Sequence, residues 1–475
     1  MSETLTPDIC VIGAGSGGLS VAAAAAQLGV SVVLLEKHKM GGDCLHYGCV
    51  PSKALIAASK RAHAMRSGNP FGIAPVSPQV DRSAVRDHIR NVIAAIEPND
   101  SVERFTGLGV NVITSAGRFV GKDTLVAGET TIKARRFVVA TGSSPLVFPI
   151  EGLNEVPFFT NETIFDNVER PEHLIVIGGG PIGLELAQAH LRLGSQVTVL
   201  EGMTALGKDD PELTEIALRR LRAEGLVIRE GAMVQKIERD IEGTIYATIA
   251  VDGAEEVVRG THLLVATGRA PNVADLGLEE AGIKFNKQGI EVNKGLRTSN
   301  RRVYAIGDVT GGYQFTHIAG YHAGLVVRSA LFRLPVSVKP SVYPWCTYID
   351  PELAHVGLSE ADAREKYGKV NVLRWPYHEN DRAQAEGDTD GLVKVVVGRS
   401  GKVLGASICG AHAGEIIQMW SLAIASGMKI KSFTGFISPY PTLSEINKRA
   451  AITHFVPKLA NPMVRRVVGF LRRFD

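Results

Sequence analysis

The sequence has few cysteines and no long apolar run. Only 5 of its 475 residues are cysteine, and this odd number argues against the disulfide framework of a secreted protein. No stretch of about 18 apolar residues occurs, which excludes a membrane-spanning helix. No basic segment followed by an apolar one precedes the first predicted strand, so no signal peptide is expected. The net charge of +3 gives no general attraction to nucleic acid. We therefore expect a soluble, cytoplasmic protein.

Glycine and apolar residues are abundant. The chain contains 51 glycines, and 45% of its residues are hydrophobic. Such a composition suits glycine-rich turns in an α/β protein rather than a disordered or fibrous chain. A chain of 475 residues is too long for one compact core, and its length predicts roughly three domains.

A glycine-rich motif follows the first apolar strand, which is predicted at Ile9–Ile12. Its glycines have G-x-G-x-x-G spacing and are Gly13, Gly15 and Gly18. An alanine-rich helix is predicted at residues 19–28, and a second strand at Val32–Leu35 ends on Glu36. Such glycines allow a tight turn and the close approach of a pyrophosphate, while the acid accepts hydrogen bonds from a ribose. This pattern predicts a dinucleotide site.

The same pattern returns in the middle of the chain. Its glycines are Gly178, Gly180 and Gly183. A helix is predicted from residue 184, and a strand at Gln196–Leu200 ends on Glu201. In both motifs the acid lies 23 residues beyond the first glycine. A decayed structural copy is the alternative, but both motifs keep every chemical element, so we expect two dinucleotide sites. No arginine occurs at positions 202–204, so Glu201 favours NADH over NADPH.

Two cysteines, Cys44 and Cys49, lie five positions apart just after the first nucleotide motif. A thiol pair beside a bound dinucleotide can cycle between dithiol and disulfide and so pass two electrons at a time. Lys53 falls on the same helical face as Cys49 and could stabilise a thiolate there. Two inert buried thiols are the less favoured alternative. The other three cysteines, Cys10, Cys346 and Cys409, lie in apolar runs and are predicted to be core residues.

The segment GGDCLHYGCVPSK at residues 41–53 resembles the redox-active motif of the flavin-dependent pyridine nucleotide–disulfide oxidoreductases. This family includes glutathione reductase, dihydrolipoamide dehydrogenase and mercuric reductase. The resemblance covers residues 8–455 and implies FAD at the first site and NAD at the second. It implies that Cys49 faces the flavin, that Cys44 meets the substrate and that Lys53 pairs with Glu185. Segments similar to further family motifs contain the remaining predicted cofactor residues, Thr141, Gly142, Gly268, Gly307 and Asp308.

The resemblance also implies the domain organisation. The expected fold is α/β, with two Rossmann-like nucleotide-binding domains and an α+β dimerisation domain. The FAD-binding domain is expected in two parts, residues 1–149 and 271–338, on either side of the NAD-binding domain at 150–270. The dimerisation domain is expected at 339–458, followed by a basic amphipathic tail at 459–475. The implied assembly is a homodimer in which each closing segment completes the partner's site.

The closing segment departs from the family pattern. Its sequence from 438 to 445 is SPYPTLSE, where the family commonly has a histidine and then a glutamate five residues later. Tyr440 takes the histidine's place, and Glu445 is the glutamate. A tyrosine with a pKa of about 10 is a poorer base than a histidine with a pKa of about 6.5. Mercuric reductase resembles this chain in having a tyrosine there, but it also ends in a cysteine pair, whereas the last cysteine here is Cys409.

Three functions stay open at this point. The first is an enzyme that passes electrons from NADH through FAD and the dithiol to a disulfide, small or protein-bound, or to a thiol-bound metal ion. The second is an NADH dehydrogenase or diaphorase for quinones or dyes. The third, less favoured, is a flavoprotein that serves as a redox-sensing partner subunit. A replacement base, His378 or His454, is conceivable, although each is expected to be an ordinary histidine. No resident metal is predicted.

The C-terminal tail has a pattern of its own. Apolar residues recur at helical spacing, namely Val464, Val467, Val468, Leu471 and Phe474. Four arginines fall mostly off that stripe, at positions 465, 466, 472 and 473. Such a helix can rest on an anionic membrane surface, and the membrane contact is expected through residues 461–474. The alternative is a terminal helix that packs on its own dimer.

Overall fold

The structure is a computed structural model that describes residues 3–459 and 461–474. It has two parallel sheets flanked by helices and a C-terminal antiparallel sheet. The predicted α/β fold class is therefore confirmed.

The first parallel sheet combines four strands from residues 9–139 with one strand from residues 303–305. Its strands, in spatial order, are Val303–Ala305, Arg136–Val139, Ile9–Ile12, Val32–Leu35 and Asn111–Ile113. The central strands are fully buried, as expected for a parallel sheet covered on both faces. The flanking helices Ser16–Gln27 and Thr316–Leu331 pack against each other. Segments almost 300 residues apart in sequence thus share one nucleotide-binding layer.

Between these parts lies a second parallel sheet. Its strands are Val227–Arg229, Gln196–Leu200, His173–Ile177 and His262–Val265. The helices Pro181–Arg192 and Pro211–Ala223 belong to this layer, and an antiparallel sheet of Met233–Arg239, Ile245–Val251 and Ala254–Gly260 precedes its last strand. The short strands Ser143–Pro145 and Arg269–Pro271 pair where the chain enters and leaves this unit.

Both nucleotide helices begin three residues earlier than the sequence predicts. The first was expected from residue 19 and begins at Ser16, and the second was expected from residue 184 and begins at Pro181. In each case the preceding glycine is the extended N-cap, with ψ near 180°. The helix therefore starts inside the glycine motif, and its free N–H groups lie at the predicted dinucleotide site.

The C-terminal unit is a five-stranded antiparallel sheet. Its order is Pro344–Thr347, Glu352–Gly357, Val403–Gly410, Leu392–Val397 and Asn371–Pro376. The helices of this unit are Glu360–Tyr367, Asp381–Glu386, Ala413–Ile416, Gln418–Ala425 and Glu445–Thr453. A cluster around the fully buried Trp420, which stacks on Phe433 at 4.0 Å, forms its core.

Buried ion pairs join this unit to the second parallel sheet. Lys394 is about 6% exposed, and its Nζ lies 2.8 Å from Asp210, 3.1 Å from Glu212 and 2.9 Å from Glu360. Arg192 pairs with Glu224 at 2.6 Å and with Asp350 at 2.8 Å. The contacts of Lys394 with Asp210 and Glu212, and the contact of Arg192 with Asp350, fix the C-terminal sheet against the second nucleotide unit.

The remaining elements are shorter or lie at the surface. The other helices are Gly42–His46, Cys49–Arg66, Arg82–Ile96, Val102–Gly107, Val456–Leu459 and Pro462–Leu471. The other strands are Thr4–Leu5, Gly117–Phe119, Leu125–Ala127, Thr130–Ile132, Phe285–Asn286 and Gly289–Ile290. Among the residues that the structure describes, no helix is long and apolar enough to cross a membrane.

Candidate functional site

A cleft of about 2660 Å³ runs between the two parallel sheets. Both glycine motifs line it, and so do the acids Glu36 and Glu201, the cysteine pair, and the segments around Thr141 and Asp308. The fold therefore brings almost all the predicted site residues onto one continuous surface. The exceptions are Gly18 and Gly183, which pack against the first glycine of their own motif, and the two residues of the closing segment, described below.

The first glycine of each motif meets the same steric demand. Gly13 has φ +103° and Gly178 has φ +114°. A Cβ atom at these positions would overlap the carbonyl oxygens of Ala140 and Ala266, respectively. Any other residue would suffer both backbone strain and a collision with the neighbouring strand. The two turns are thus stereochemical equivalents.

The second glycine of each motif faces open space. A Cβ atom added at Gly15 or Gly180 would meet no atom within 4 Å, and both residues line the cleft. Each also caps a helix whose N–H groups lack partners within the helix. A bare backbone beside a helix N-terminus is the cradle that a pyrophosphate requires. The third glycines, Gly18 and Gly183, allow the helix to pack on the turn, because a Cβ there would overlap the carbonyl of the first glycine.

The two predicted ribose acids are held in matching ways. Glu36 accepts hydrogen bonds from the backbone of Ala14 and His38, each at 2.8 Å. Glu201 accepts from Gly179 at 2.7 Å and from Met203 at 2.9 Å. Each carboxylate oxygen uses one backbone donor and keeps capacity for a second hydrogen bond. Both acids are therefore oriented for a ribose, and the residues present fit FAD at the first turn and a nicotinamide dinucleotide at the second.

Asp308 lies in a hydrogen-bond network that was not predicted from the sequence. It accepts a 2.6 Å hydrogen bond from the Ser143 hydroxyl, which in turn accepts from Arg269 Nε at 2.8 Å. Arg269 also pairs with Asp43 at 3.0 Å, next to Cys44. Burial raises the pKa of Asp308, and the Ser143 hydrogen bond opposes that rise. The only sequence signal was that Ser143 and Arg269 directly follow the two motifs ending in Gly142 and Gly268.

The two motifs that end in Gly142 and Gly268 lie close together. Thr141 donates its hydroxyl to the Asn272 carbonyl at 2.8 Å, and the Asn272 amide donates back to the Thr141 carbonyl at 2.9 Å. Gly268 and Gly307 both line the cleft and both have positive φ. The crossing between the two nucleotide layers is thus held by reciprocal hydrogen bonds.

The cysteine pair occupies two consecutive helices. Cys44 lies in the helix Gly42–His46, and Cys49 is the first residue of the helix Cys49–Arg66. A hydrogen bond from Cys44 lowers the pKa of Cys49 to about 6, against the effect of burial. The pKa of Cys44 is raised, because it keeps the proton that it donates. A helix N-terminus further favours the anion. The pair is therefore polarised, with the thiolate at Cys49.

Two further groups stabilise the Cys49 thiolate. The hydroxyl of Thr316 lies 3.4 Å from Cys49 Sγ, at the first residue of the helix Thr316–Leu331. Lys53 adds a favourable charge. Thr316 lies 267 residues away along the chain, and no motif in the sequence pointed to it.

The lysine–glutamate pair implied by the family resemblance forms. Lys53 Nζ lies 2.8 Å from Glu185 Oε2, and the Glu185 side chain is 8% exposed. The other oxygen of Glu185 accepts from the backbone N–H of Tyr348 at 2.9 Å. The ring of Tyr348 lies 4.3 Å from Lys53 Nζ. Lys53, Glu185 and Tyr348 therefore join the helix Cys49–Arg66, the helix Pro181–Arg192 and the C-terminal unit.

One cysteine differs from its predicted role. Cys10 and Cys409 are buried, as core residues should be. Cys346, however, is only partly buried and lines the cleft. It occupies an edge strand, Pro344–Thr347, and packs against the core cluster of the C-terminal unit on one side while it borders the cleft and the Lys53–Glu185 pair on the other. Cys346 therefore lies at the edge of the core rather than inside it, where it was predicted.

The closing segment lies apart from the cleft of its own chain. Tyr440 is 68% exposed and donates a 2.9 Å hydrogen bond to Asp381. That carboxylate raises the pKa of Tyr440. Glu445 pairs with Arg449 at 2.8 Å. Neither Tyr440 nor Glu445 belongs to the described residues that line the cleft, so any catalytic role requires a partner subunit.

The two proposed substitute bases, His378 and His454, do not line the cleft of their own chain. His378 is exposed in a short helical turn, and His454 packs edge-on against Phe455 with ring centroids 4.9 Å apart. Over residues 3–459 and 461–474, no group of three or more histidine, cysteine or acidic side chains could hold a metal ion.

Two dinucleotide turns that share a cleft with one polarised dithiol define a pyridine nucleotide-dependent, flavin-containing disulfide reductase. Comparison with known proteins identifies the family. Residues 7–323 match the pyridine nucleotide-disulphide oxidoreductase model, and residues 343–451 match the dimerisation domain of that family. The chain belongs to the pyridine nucleotide-disulphide oxidoreductase family.

Its relatives have different substrates in their names. The chain is 35% identical to a mercuric reductase of Staphylococcus aureus, over 94% of this chain and 82% of the relative. It is also 35% identical to a dihydrolipoyl dehydrogenase of Geobacillus stearothermophilus, over 93% and 94%. A Cu(II) complex of the HOCl-induced flavoprotein disulfide reductase RclA from Escherichia coli superposes with a TM-score of 0.83. This comparison covers 93% of this chain and 98% of RclA, at 27% identity. The protein is thus a flavoprotein disulfide reductase of the lipoamide dehydrogenase and mercuric reductase type.

Proposed function

We propose that this enzyme uses NADH to reduce soft metal ions bound by small thiols, with the Cys44–Cys49 dithiol as the last protein group in the electron path. The observation that carries this proposal is the tyrosine in the closing segment. Tyr440 stands where this family commonly has an imidazole, and its hydrogen bond to Asp381 raises its pKa further. The closing segment offers a proton donor but no base that titrates near neutral pH.

The residues of the cleft have separate roles in binding the cofactors and in stabilising the thiolate. Bound FAD supplies the two-electron relay between the nicotinamide and the dithiol. Glu36 and Glu201 hold the two riboses, and the turns at Gly15 and Gly180 receive the pyrophosphates. Lys53 and Thr316 keep the Cys49 sulfur anionic. Cys44 keeps a proton in the dithiol state and is the thiol that meets the acceptor.

The bond that is broken, rather than the overall proton balance, separates the two kinds of acceptor. Written to the same products, NADH and one proton reduce either a disulfide or Hg(II) held by two thiolates to NAD⁺ and two thiols, with Hg(0) as a further product in the second case. With a disulfide, the attacking thiolate must break an S–S bond and expel a basic thiolate, and a neighbouring acid assists that departure. With a metal acceptor, thiolates exchange on a soft metal ion and no S–S bond of the acceptor is broken, so the demand for an imidazole is smaller. A closing segment with Tyr440 therefore suits a metal–thiolate acceptor better than a disulfide.

An acceptor would meet the dithiol at Cys44, which lines the cleft and is the thiol assigned to the substrate. Thiolates are the ligands that soft metal ions prefer. The mercuric reductase relatives and the copper complex of RclA are in keeping with a metal acceptor.

The test compares acceptors in wild-type enzyme, Tyr440→Phe and Tyr440→His. We expect wild-type NADH oxidation with cysteine-bound Hg(II) to exceed that with lipoamide by at least tenfold. Tyr440→His should raise the lipoamide rate by roughly tenfold, because an imidazole adds general acid–base catalysis. Tyr440→Phe keeps the aromatic ring and removes only the hydroxyl, so it controls for packing and should not raise the rate of lipoamide reduction. Fast lipoamide reduction by wild-type enzyme would refute the assignment of a metal acceptor.

NADH preference is a separate part of this proposal. The Glu201 carboxylate faces the predicted 2′-position and repels a phosphate there. The side chain of Arg229, which lies on the neighbouring strand, pairs with Glu256 at 2.6 Å instead. We expect kcat/KM for NADH to exceed that for NADPH by at least tenfold. Glu201→Ala should lower the ratio of kcat/KM for NADH to kcat/KM for NADPH. A wild-type enzyme that prefers NADPH would refute the proposed NADH preference.

A second function, the diaphorase reaction, is favoured by one observation. Tyr313 and Trp345 stack at 5.6 Å with 27° between their rings, and both line the cleft. A flat acceptor such as a quinone could stack on these rings. This function predicts that Cys44→Ser leaves NADH–quinone turnover unchanged while it abolishes metal reduction. Loss of both activities would exclude a thiol-independent diaphorase.

A further inference from the structure

The C-terminal helix Pro462–Leu471 lies wholly at the surface. Every residue from 461 to 474 is exposed, and Asn461 caps the helix through a hydrogen bond to the Met463 N–H. At 100° per residue the side chains fall into two separate arcs. One arc, of about 160°, contains the apolar residues Met463, Val464, Val467, Val468, Phe470, Leu471 and Phe474. The opposite arc contains the four arginines of the tail, with Gly469 and Pro462.

The charge of this segment is of one sign. Residues 455–474 contain one lysine and four arginines and no aspartate or glutamate. The rest of the chain has 47 basic and 49 acidic residues, so residues 455–474 change its net charge from −2 to +3. No ion pair is recorded for the arginines at 465, 466, 472 and 473 within the described chain. The basic arc is therefore complementary to an anionic surface.

We propose that the helix Pro462–Leu471 docks on the surface of an anionic phospholipid bilayer. The apolar arc enters the boundary between headgroups and acyl chains, and the arginines lie among the lipid phosphates. Ten residues span only about 15 Å, half of a hydrocarbon core of about 30 Å, so the helix lies along the surface. This inference holds whichever acceptor the enzyme reduces.

A second copy of the chain is a less suitable occupant. The family's dimerisation match ends at residue 451, before the tail begins. Two apolar arcs about 15 Å long would bury far less than the roughly 1,200 Å² of a stable interface. A membrane accepts the apolar arc and the basic arc together. The bilayer is therefore the occupant that both arcs favour.

Co-sedimentation of the FAD-loaded, full-length enzyme with vesicles tests the proposal. Phosphatidylcholine vesicles are compared with vesicles that contain equal parts of phosphatidylglycerol, at low and at high salt. Leu471→Glu disrupts the apolar arc, and Ile241→Glu is its matched control on an exposed loop. Arg472→Gln with Arg473→Gln weakens the basic arc, and the exposed pair Arg301→Gln with Arg302→Gln is the control. Sedimentation velocity reports the oligomeric state of each variant.

Binding should require phosphatidylglycerol and should fall at high salt. Leu471→Glu should abolish it, and each arginine removed should weaken it roughly fivefold. The two control variants should bind like wild type, and NADH oxidation should be unchanged in all of them. Equal binding by full-length protein and by a chain that ends at residue 458 would overturn the proposal. Dissociation of the dimer by Leu471→Glu, without any vesicle binding by wild type, would overturn it in favour of a contact between copies.

Discussion

Replacement of Cys44 by alanine tests the origin of the Cys49 thiolate. The hydrogen bond from Cys44 is the largest effect that lowers the pKa of Cys49, ahead of Thr316 and Lys53. A hydrogen bond to a charged group contributes about 1.5–3 kcal/mol, and one pKa unit corresponds to about 1.36 kcal/mol. Cys44→Ala should therefore raise the pKa of Cys49 by about 1–2 units. Cys44→Ser keeps a donor of similar size and is the matched control.

The assay is a pH titration of the FAD-loaded variants. Because neither variant can form the disulfide, Cys49 stays a free thiol next to oxidised flavin. Its anion is followed by the long-wavelength absorbance of a thiolate against flavin, and independently by the rate of iodoacetamide alkylation at Cys49. The thiolate is present above its pKa and is lost as the pH falls through it. The midpoint should lie near 6 in Cys44→Ser, as in the dithiol state, and clearly higher in Cys44→Ala.

Equal midpoints in the two variants would refute this account of the dithiol. A common value near 6 would show that Lys53, Thr316 and the helix N-terminus suffice without Cys44. A common value near the ordinary thiol pKa of about 8.5 would show that the site does not favour the anion at all.

Three further predictions follow from single contacts. Gly15→Ala should weaken the retention of FAD at least tenfold, because the added Cβ would occupy the space in the cleft where the pyrophosphate is expected. Gly121→Ala, whose added Cβ also meets no other atom, lies away from the cleft and should leave FAD retention unchanged. The release of FAD after dilution measures both variants. Lys394→Met should destabilise the protein by about 3 kcal/mol, because it removes the ion-pair partner of the buried Asp210, whereas Glu212 and Glu360 keep their arginine partners. The exposed Lys402→Met should not destabilise it, and equal free energies of unfolding by denaturant for the two variants would contradict this prediction. Thr316→Val, combined with Cys44→Ser so that Cys49 stays a free thiol, should raise the pKa of Cys49 by about half a unit, because it removes one weak hydrogen-bond donor to the sulfur. An unchanged pKa in the titration described above would exclude that hydrogen bond.

The nucleotide turns could be predicted because their demands are local. A strand, three glycines and a terminal acid at fixed spacing dictate the backbone geometry within 28 residues, from Ile9 to Glu36. The structure accordingly places Gly13 and Gly178 at positive φ and orients Glu36 against its own turn. The start of each of the two helices was predicted three residues too late, because each helix begins after a glycine that acts as its N-cap. The helix pattern alone does not show this.

The contacts around the dithiol depend on long-range geometry and were harder to predict. Thr316 reaches Cys49 across 267 residues, and Arg269 reaches Asp43 because the second nucleotide unit returns to the first. No periodicity or local motif indicates such a pairing. Cys346 was misassigned because an apolar edge strand looks like a core strand in sequence, although its outer face lines the cleft. The role of Tyr440, the domain boundaries and the cytoplasmic location stay predictions.

The most direct test of the central claim is a count of thiols after anaerobic addition of one equivalent of NADH to the oxidised enzyme. Alkylation and mass spectrometry then report which cysteines have become free. Two electrons per chain should convert the Cys44–Cys49 disulfide to two alkylated thiols, while Cys10 and Cys409, buried in the core, stay unchanged in reactivity. If the flavin is bleached by NADH but Cys44 and Cys49 remain joined, the dithiol lies outside the electron path and this account of the enzyme is wrong.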